Sequence, residues 1–134
     1  MPSAEVSAAL LQAARDARAH AYAPYSSFAV GAAVETEDGS IVTGCNVENA
    51  SFGLSICAER VALTRAIAQG HRRFRGLAVA GPEGIDSAPC GACRQFAAEF
   101  APELPVTFTS REGLAHATIA QLLPQPFTSR SLRH

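Results

Sequence analysis

The stretch "FAVGAAVETEDGSIVTGCNVE", residues 28 to 48, decides how this chain folds. Two runs rich in Val, Ala, Ile and Thr flank "EDGS", and Asp38-Gly39 suits a tight turn between antiparallel strands. The stretch therefore reads as a β-hairpin. Outward from it the periodicity changes. On the N-terminal side, residues 3 to 21 predict an amphipathic helix that Ser3 can cap, with Val6, Leu10, Ala14 and Ala17 at helical spacing. "YAPYSS" (22–27) ends it, because Pro24 disfavours helical backbone in the residue before it.

On the C-terminal side, residues 57 to 69 predict a second helix, closed by Gly70. "FRGLAVAG" (74–81) reads as a buried strand, residues 90 to 100 as a third helix and "PVTFTS" (105–110) as a short strand. Residues 118 to 123 predict a last helical turn, stopped by Pro124. The order α-β-β-α-β-α-β implies an α/β fold whose sheet is layered with helices. Strand–helix–strand crossings favour parallel neighbours and the hairpin adds an antiparallel pair, so the sheet is mixed. With 134 residues, 48% of them hydrophobic, and no repeat or linker, the chain fits one domain over 1–134. Residues 125–134 are expected to be partly tail, and "SRSLRH" (129–134) to be frayed.

A net charge of -1 argues against a nucleic-acid polymer as partner, because a phosphate backbone demands clustered Lys and Arg. The longest basic run, "HRRFR" (71–75), reads as a solvated element end. No segment approaches the roughly 20 apolar residues of a membrane span, and "MPSAEVSAAL" lacks the pattern of a secretory signal. The expected location is the cytoplasm, where thiols stay reduced. Four cysteines in such a chain point to metal or catalysis before disulfides.

Three of those cysteines fall at predicted helix starts. Cys57 opens "CAERVAL", and Cys90 and Cys93 form the C-x-x-C of "PCGACRQ". A C-x-x-C pair alone serves a redox dithiol, half of a structural zinc site or chance. At a helix start, unpaired N–H groups and the helix dipole favour thiolate. Three thiolates fill three corners of a zinc tetrahedron, and the fourth position decides between structure and catalysis. Cys45 is the rival fourth ligand, with a buried core thiol as its alternative. None of the four histidines shows ligand spacing. Glu59, two residues after Cys57, is placed either to exchange protons with a metal-bound water or simply to face solvent. Arg60 and Arg94 adjoin the ligand stretches, where a guanidinium either draws charge from sulfur or faces solvent.

The combination "CAE" and "PCGACRQ" resembles the zinc-dependent cytidine deaminases. The resemblance extends over "YAPYSSFAVGAAV" (22–34), "GCNVENASFG" (44–53), "ICAERVAL" (56–63), "APCGACRQF" (88–96) and "LLPQPF" (122–127). It implies a three-layer cytidine-deaminase-like fold, with a mixed five-stranded sheet packed between helices. It also implies one zinc per chain on Cys57, Cys90 and Cys93, with Glu59 as proton shuttle. By the same resemblance Phe28 packs on the pyrimidine, Asn46 and Glu48 bind the ribose 3′-hydroxyl, and the Ala58 amide meets the pyrimidine O2. "ASF" (Ala50, Ser51, Phe52) and Phe127 match segments that reach into a neighbouring subunit's site.

Cysteine as the first ligand points to the short, homotetrameric nucleoside branch. Phe52 stands where many relatives carry Tyr, which removes a phenolic hydrogen bond near the sugar 5′ end. The implied reaction is hydrolytic deamination of cytidine and 2′-deoxycytidine to uridine and 2′-deoxyuridine, a step of pyrimidine salvage. Deamination of an aminonucleoside such as blasticidin S, or a non-enzymatic zinc module, are the alternatives.

Overall fold

The computed structural model describes residues 5–132. The hairpin forms as its turn chemistry dictates. Strand β1 (Gly31–Thr36) pairs antiparallel with β2 (Ile41–Cys45), so that Gly31 faces Cys45 and Val34 faces Val42. At the turn, Gly39 takes a φ of 89°, and the Asp38 carboxylate accepts hydrogen bonds from the Thr36 hydroxyl and the Ser40 amide. Such a left-handed turn position favours glycine because a Cβ would clash with the backbone.

Three further strands complete a five-stranded sheet in the order β2-β1-β3-β4-β5. Strand β3 (Phe74–Ala80) lies antiparallel to β1, β4 (Pro105–Ser110) runs parallel to β3, and β5 (Gly113–Thr118) returns antiparallel to β4. The sheet is mixed, as expected. Its fifth strand is the element that the residue pattern hides. At this sheet edge Gly113, Leu114 and His116 are exposed, and the Arg111-Glu112 tip lacks a glycine-bearing turn pair.

Alternation along the strands builds the two outer layers. Ala33, Ala78 and Ala80 point to one face, where helix α1 (Ala8–Ala17) covers them with Leu10, Leu11 and Ala14. Ala32, Val34, Leu77, Val79 and Val106 point to the other. There α2 (Ala58–Ala68) and α3 (Gly91–Phe100) lay down Ala62, Leu63, Ala66 and Ala97. A short α4 (Ile119–Leu122) starts on a Thr118–Gln121 capping box and buries Ile119 in the same core.

The ends differ from expectation. Helix α1 is capped by Ser7, whose hydroxyl accepts from the Leu10 amide, so it starts five residues later than the pattern suggests. Ser3 itself lies outside the described residues. The helix also stops at Ala17 and tightens into a 3₁₀ turn, Arg18–His20, a common way to satisfy the last carbonyls. In the C-terminal segment Ser129–Leu132 forms a 3₁₀ turn with no buried residue.

Helix α2 sits close to β2 because residue 44 has no side chain. A Cβ on Gly44 would lie 2.4 Å from the Ala62 nitrogen and 2.7 Å from the Ala58 carbonyl oxygen. Both are backbone atoms of α2, which cannot swing aside. Gly44→Ala is expected to lower unfolding stability by about 1–3 kcal/mol through overpacking. Urea unfolding measures this, and an unchanged midpoint contradicts the tight β2–α2 contact.

Candidate metal centre

Helices α2 and α3 both begin on a cysteine. Cys57 and Cys90 occupy the N-cap positions in extended backbone, and Cys93 lies within the first turn of α3. The Cys57 and Cys90 carbonyls accept the first helical bonds, from Val61 and Arg94. The helix starts meet, so the three sulfurs lie within 4.8 Å of one another. Cys57 Sγ is 3.7 Å from Cys90 Sγ, which is 3.4 Å from Cys93 Sγ.

These spacings fit a metal. Sulfurs held about 2.3 Å from one zinc at tetrahedral angles stand about 3.8 Å apart. Cys93 is buried, Cys57 half-buried and Cys90 exposed, so the cluster opens toward solvent on the Cys90 side. Cys45, half-buried at the end of β2, is not in the group. The donor set fits one zinc per chain, with three sulfurs and a fourth position that no thiol among the described residues reaches.

Electrostatics favour charge on Cys57. Cys57 is held well below the ordinary thiol range, first by hydrogen bonding with Cys93 and further by Arg60. Cys93 is pushed up as the partner that keeps its proton. Arg60 Nη2 donates to Cys57 Sγ at 3.6 Å, while its Nε is buried with no hydrogen-bond partner among the described residues. Arg94 bonds to two backbone carbonyls. Its Nε donates to the Pro89 carbonyl at 2.7 Å and its Nη1 to the Leu122 carbonyl at 2.9 Å, which braces the Cys90 loop against α4.

Glu59 follows Cys57 into α2 and is only 4% exposed. Burial is the main reason its carboxyl is pushed up to about 7. It shares a cavity of about 200 Å³ with Cys57, Cys90, Ala58, Phe28 and Asn46. Val30, Val79 and the Asp86–Ala88 loop complete the wall. Sequence reasoning passed over that loop, although its place directly before "PC" was a usable signal. A Cβ on Gly81 would fall 1.8 Å from Ser87 Oγ, so the loop lies on bare backbone. A larger cavity, about 420 Å³, is lined by Arg15, Arg18, Thr109 and Leu114 and holds no thiol.

Asn46 and Glu48, the expected sugar-binding pair, both bond to the 25–30 segment. The Asn46 amide donates to the Phe28 carbonyl at 2.7 Å and accepts from the Val30 amide at 2.9 Å. The Glu48 carboxylate accepts from the Tyr25 and Ser26 amides and from the Ser26 hydroxyl. Those bonds, led by the Ser26 hydroxyl, hold Glu48 below the usual carboxylate range. Glu48 lines a separate cavity of about 350 Å³ with Tyr25, Ser26, Phe52 and Ser55. Ala50, Ser51, Phe52 (74% exposed) and Phe127 (60% exposed) do not line the metal cavity. Phe127 is presented outward by a two-way amide clamp with Gln95.

Residues 4–109 match the family model of the cytidine and deoxycytidylate deaminase zinc-binding region. The chain belongs to this family. It is 43% identical over 127 residues to a cytidine deaminase of Sporosarcina psychrophila, covering 93% of each chain. A crystal structure of cytidine deaminase from Burkholderia pseudomallei superposes with a TM-score of 0.85 at 47% identity, covering 92% of this chain and 100% of that one. A blasticidin-S deaminase of Bacillus cereus is more distant, 31% identical over 107 residues, with 74% of this chain and 76% of the relative covered.

Membership and donor geometry yield a direct expectation for metal content. Cys45→Ala should retain about one zinc per chain, and Cys90→Ala should lose most of it. Elemental analysis of the purified variants reads both, and zinc loss from Cys45→Ala would restore the four-thiolate structural site.

Proposed function

We propose that this chain is a nucleoside deaminase that hydrolyses cytidine and 2′-deoxycytidine to uridine and 2′-deoxyuridine, releasing ammonia. The observation that carries this reading is the buried Glu59 carboxylate in one cavity with the Phe28 ring and two thiols, Cys57 and Cys90, of the three-sulfur cluster. Held by Cys57, Cys90 and Cys93, zinc supplies the Lewis acidity that makes water a nucleophile near neutral pH.

The remaining work falls to the chain's own side chains. Glu59 takes a proton from the attacking water and delivers it to the pyrimidine N3 as the water oxygen bonds to C4. It then carries the second proton of that water to the exocyclic amine, which departs as ammonia when the C4–N bond breaks. Burial suits Glu59 to both roles, because a carboxylate with raised proton affinity accepts and returns a proton readily. Phe28 offers its ring to the base. The Ala58 amide, in the first turn of α2 where N–H groups lack helical acceptors, donates to O2. Asn46 and Glu48 hold the sugar.

The cavity favours a nucleoside over a nucleotide. Among the described residues no Lys or Arg lines it, whereas Glu59 and Asp86 do, and an uncompensated phosphate would be repelled. Comparing turnover of cytidine with that of blasticidin S separates the main reading from its nearest alternative. We place the activity in the cytoplasm, in recycling of pyrimidine nucleosides. Free thiols fit a reducing compartment, and among the described residues no helix is long and apolar enough to cross a membrane.

Assembly into a homotetramer accompanies this reading. Tyr22, Tyr25, Phe52, Leu54 and Phe127 are exposed large side chains that a neighbouring subunit covers, with Phe52 and Phe127 reaching its site. Light scattering should give a mass of about four chains, and a fully active monomer contradicts shared sites.

Glu59→Gln should keep its zinc yet lose at least about 10²–10⁴-fold in kcat for cytidine. Ultraviolet loss of cytidine measures the rate, and near-normal turnover with metal present removes Glu59 from the proton path.

A further inference from the structure

The turn "YSSF" (25–28) ties the sugar side of the site to the base side through one hydroxyl. Ser26 Oγ donates to the Glu48 carboxylate and accepts from the Phe28 amide at 3.0 Å. Glu48 lines one cavity and Phe28 the other, so this hydroxyl bridges the residues that face the two spaces. The next residue, Ser27, has a φ of 58° and is the one non-glycine with positive φ among the described residues. A serine held in the left-handed region is strained, and such strain persists where surrounding bonds over-determine it. Here they do, since the turn brings the Tyr25 and Ser26 amides onto Glu48 at 3.0 and 3.1 Å.

Counting acceptors gives the consequence. A carboxylate offers about four lone-pair positions. Oε1 uses two on the amides, and Oε2 uses one on the Ser26 hydroxyl. One position is left, enough for a single hydroxyl of a ligand without breaking an internal bond.

We infer that Ser26 is a positioning residue that sets the site's selectivity for a nucleoside sugar, by fixing Glu48 as a single-hydroxyl acceptor and locking Phe28 beside it. This rests on the nucleoside deaminase reading above. Ser26 acts through Glu48 and Phe28 and touches no reacting atom. Without its hydroxyl, Glu48 keeps the two amides but loses the bond that orients Oε2, and Phe28 loses its amide acceptor.

The test uses the zinc-loaded full chain as wild type, Ser26→Ala and Ser26→Thr. Calorimetry measures binding of uridine and of 2′,3′-dideoxyuridine, neither of which turns over. Ser26→Ala should weaken uridine by about 10-fold and dideoxyuridine by less than about 2-fold, with Ser26→Thr near wild type for both. For cytidine, KM should rise by about 10-fold while kcat changes by less than about 3-fold. Equal weakening of both ligands, or a loss confined to kcat, overturns the inference. Hydrogen exchange of the Phe28 amide should quicken in Ser26→Ala, and an unchanged rate also overturns it, whatever the substrate. A wild type that neither binds uridine nor deaminates cytidine defeats the functional reading instead, and the exchange measurement still judges the Ser26–Phe28 link.

Discussion

Two helices begin at one point in space, each on a cysteine, and the remaining architecture is arranged to hold them there. The starts of α2 and α3 converge on Cys57, Cys90 and Cys93, and negative charge is favoured on Cys57. Three thiolates over-compensate a divalent cation, and Arg60 returns part of the balance through its bond to Cys57. Helix α2 reaches its depth because Gly44 lets backbone touch backbone. The segment entering α3 is held in place by Arg94, which clamps the Pro89 and Leu122 carbonyls, and by the Ser87 loop lying on Gly81.

The same economy of side chains shapes the core. Alanine fills one face of the sheet, at Ala33, Ala78 and Ala80, and most of the α2 and α3 surface that meets the other, so layers pack closely with little bulk there. Close layers leave the cavity shallow, about 200 Å³, and put Glu59 at its dry end beside the sulfurs. Low dielectric there strengthens each interaction with a developing charge. On the opposite side the 22–28 and 46–48 segments are joined by backbone hydrogen bonds, Tyr22 to Asn46 and Glu48 to Tyr22.

The legible parts of the fold were those with local chemistry. Asp38-Gly39, Gly70 and Pro124 mark chain reversals or stops, and the hairpin, α2 and α4 fall where those signals put them. Strand β5 was illegible because an edge strand with Gly113, Leu114 and His116 exposed carries no two-residue alternation. Helix α1 was drawn too long because Ser3 and Ser7 are equally good caps in isolation, and only packing on the sheet chooses between them. In the site, "CAE" and "PCGACRQ" were readable through helix-start chemistry. Arg94 was not, because its acceptors come from residues 89 and 122, which only the tertiary fold brings together. The capture of Glu48 by the 25–26 turn was hidden for the same reason.

Everything chemical in this account follows from a metal gripped by three sulfurs with one side left open. X-ray absorption at the zinc edge of the purified chain reads that shell directly. The account predicts about three sulfurs near 2.3 Å and one light atom near 2.0 Å. A shell of four sulfurs would close the open position and contradict it.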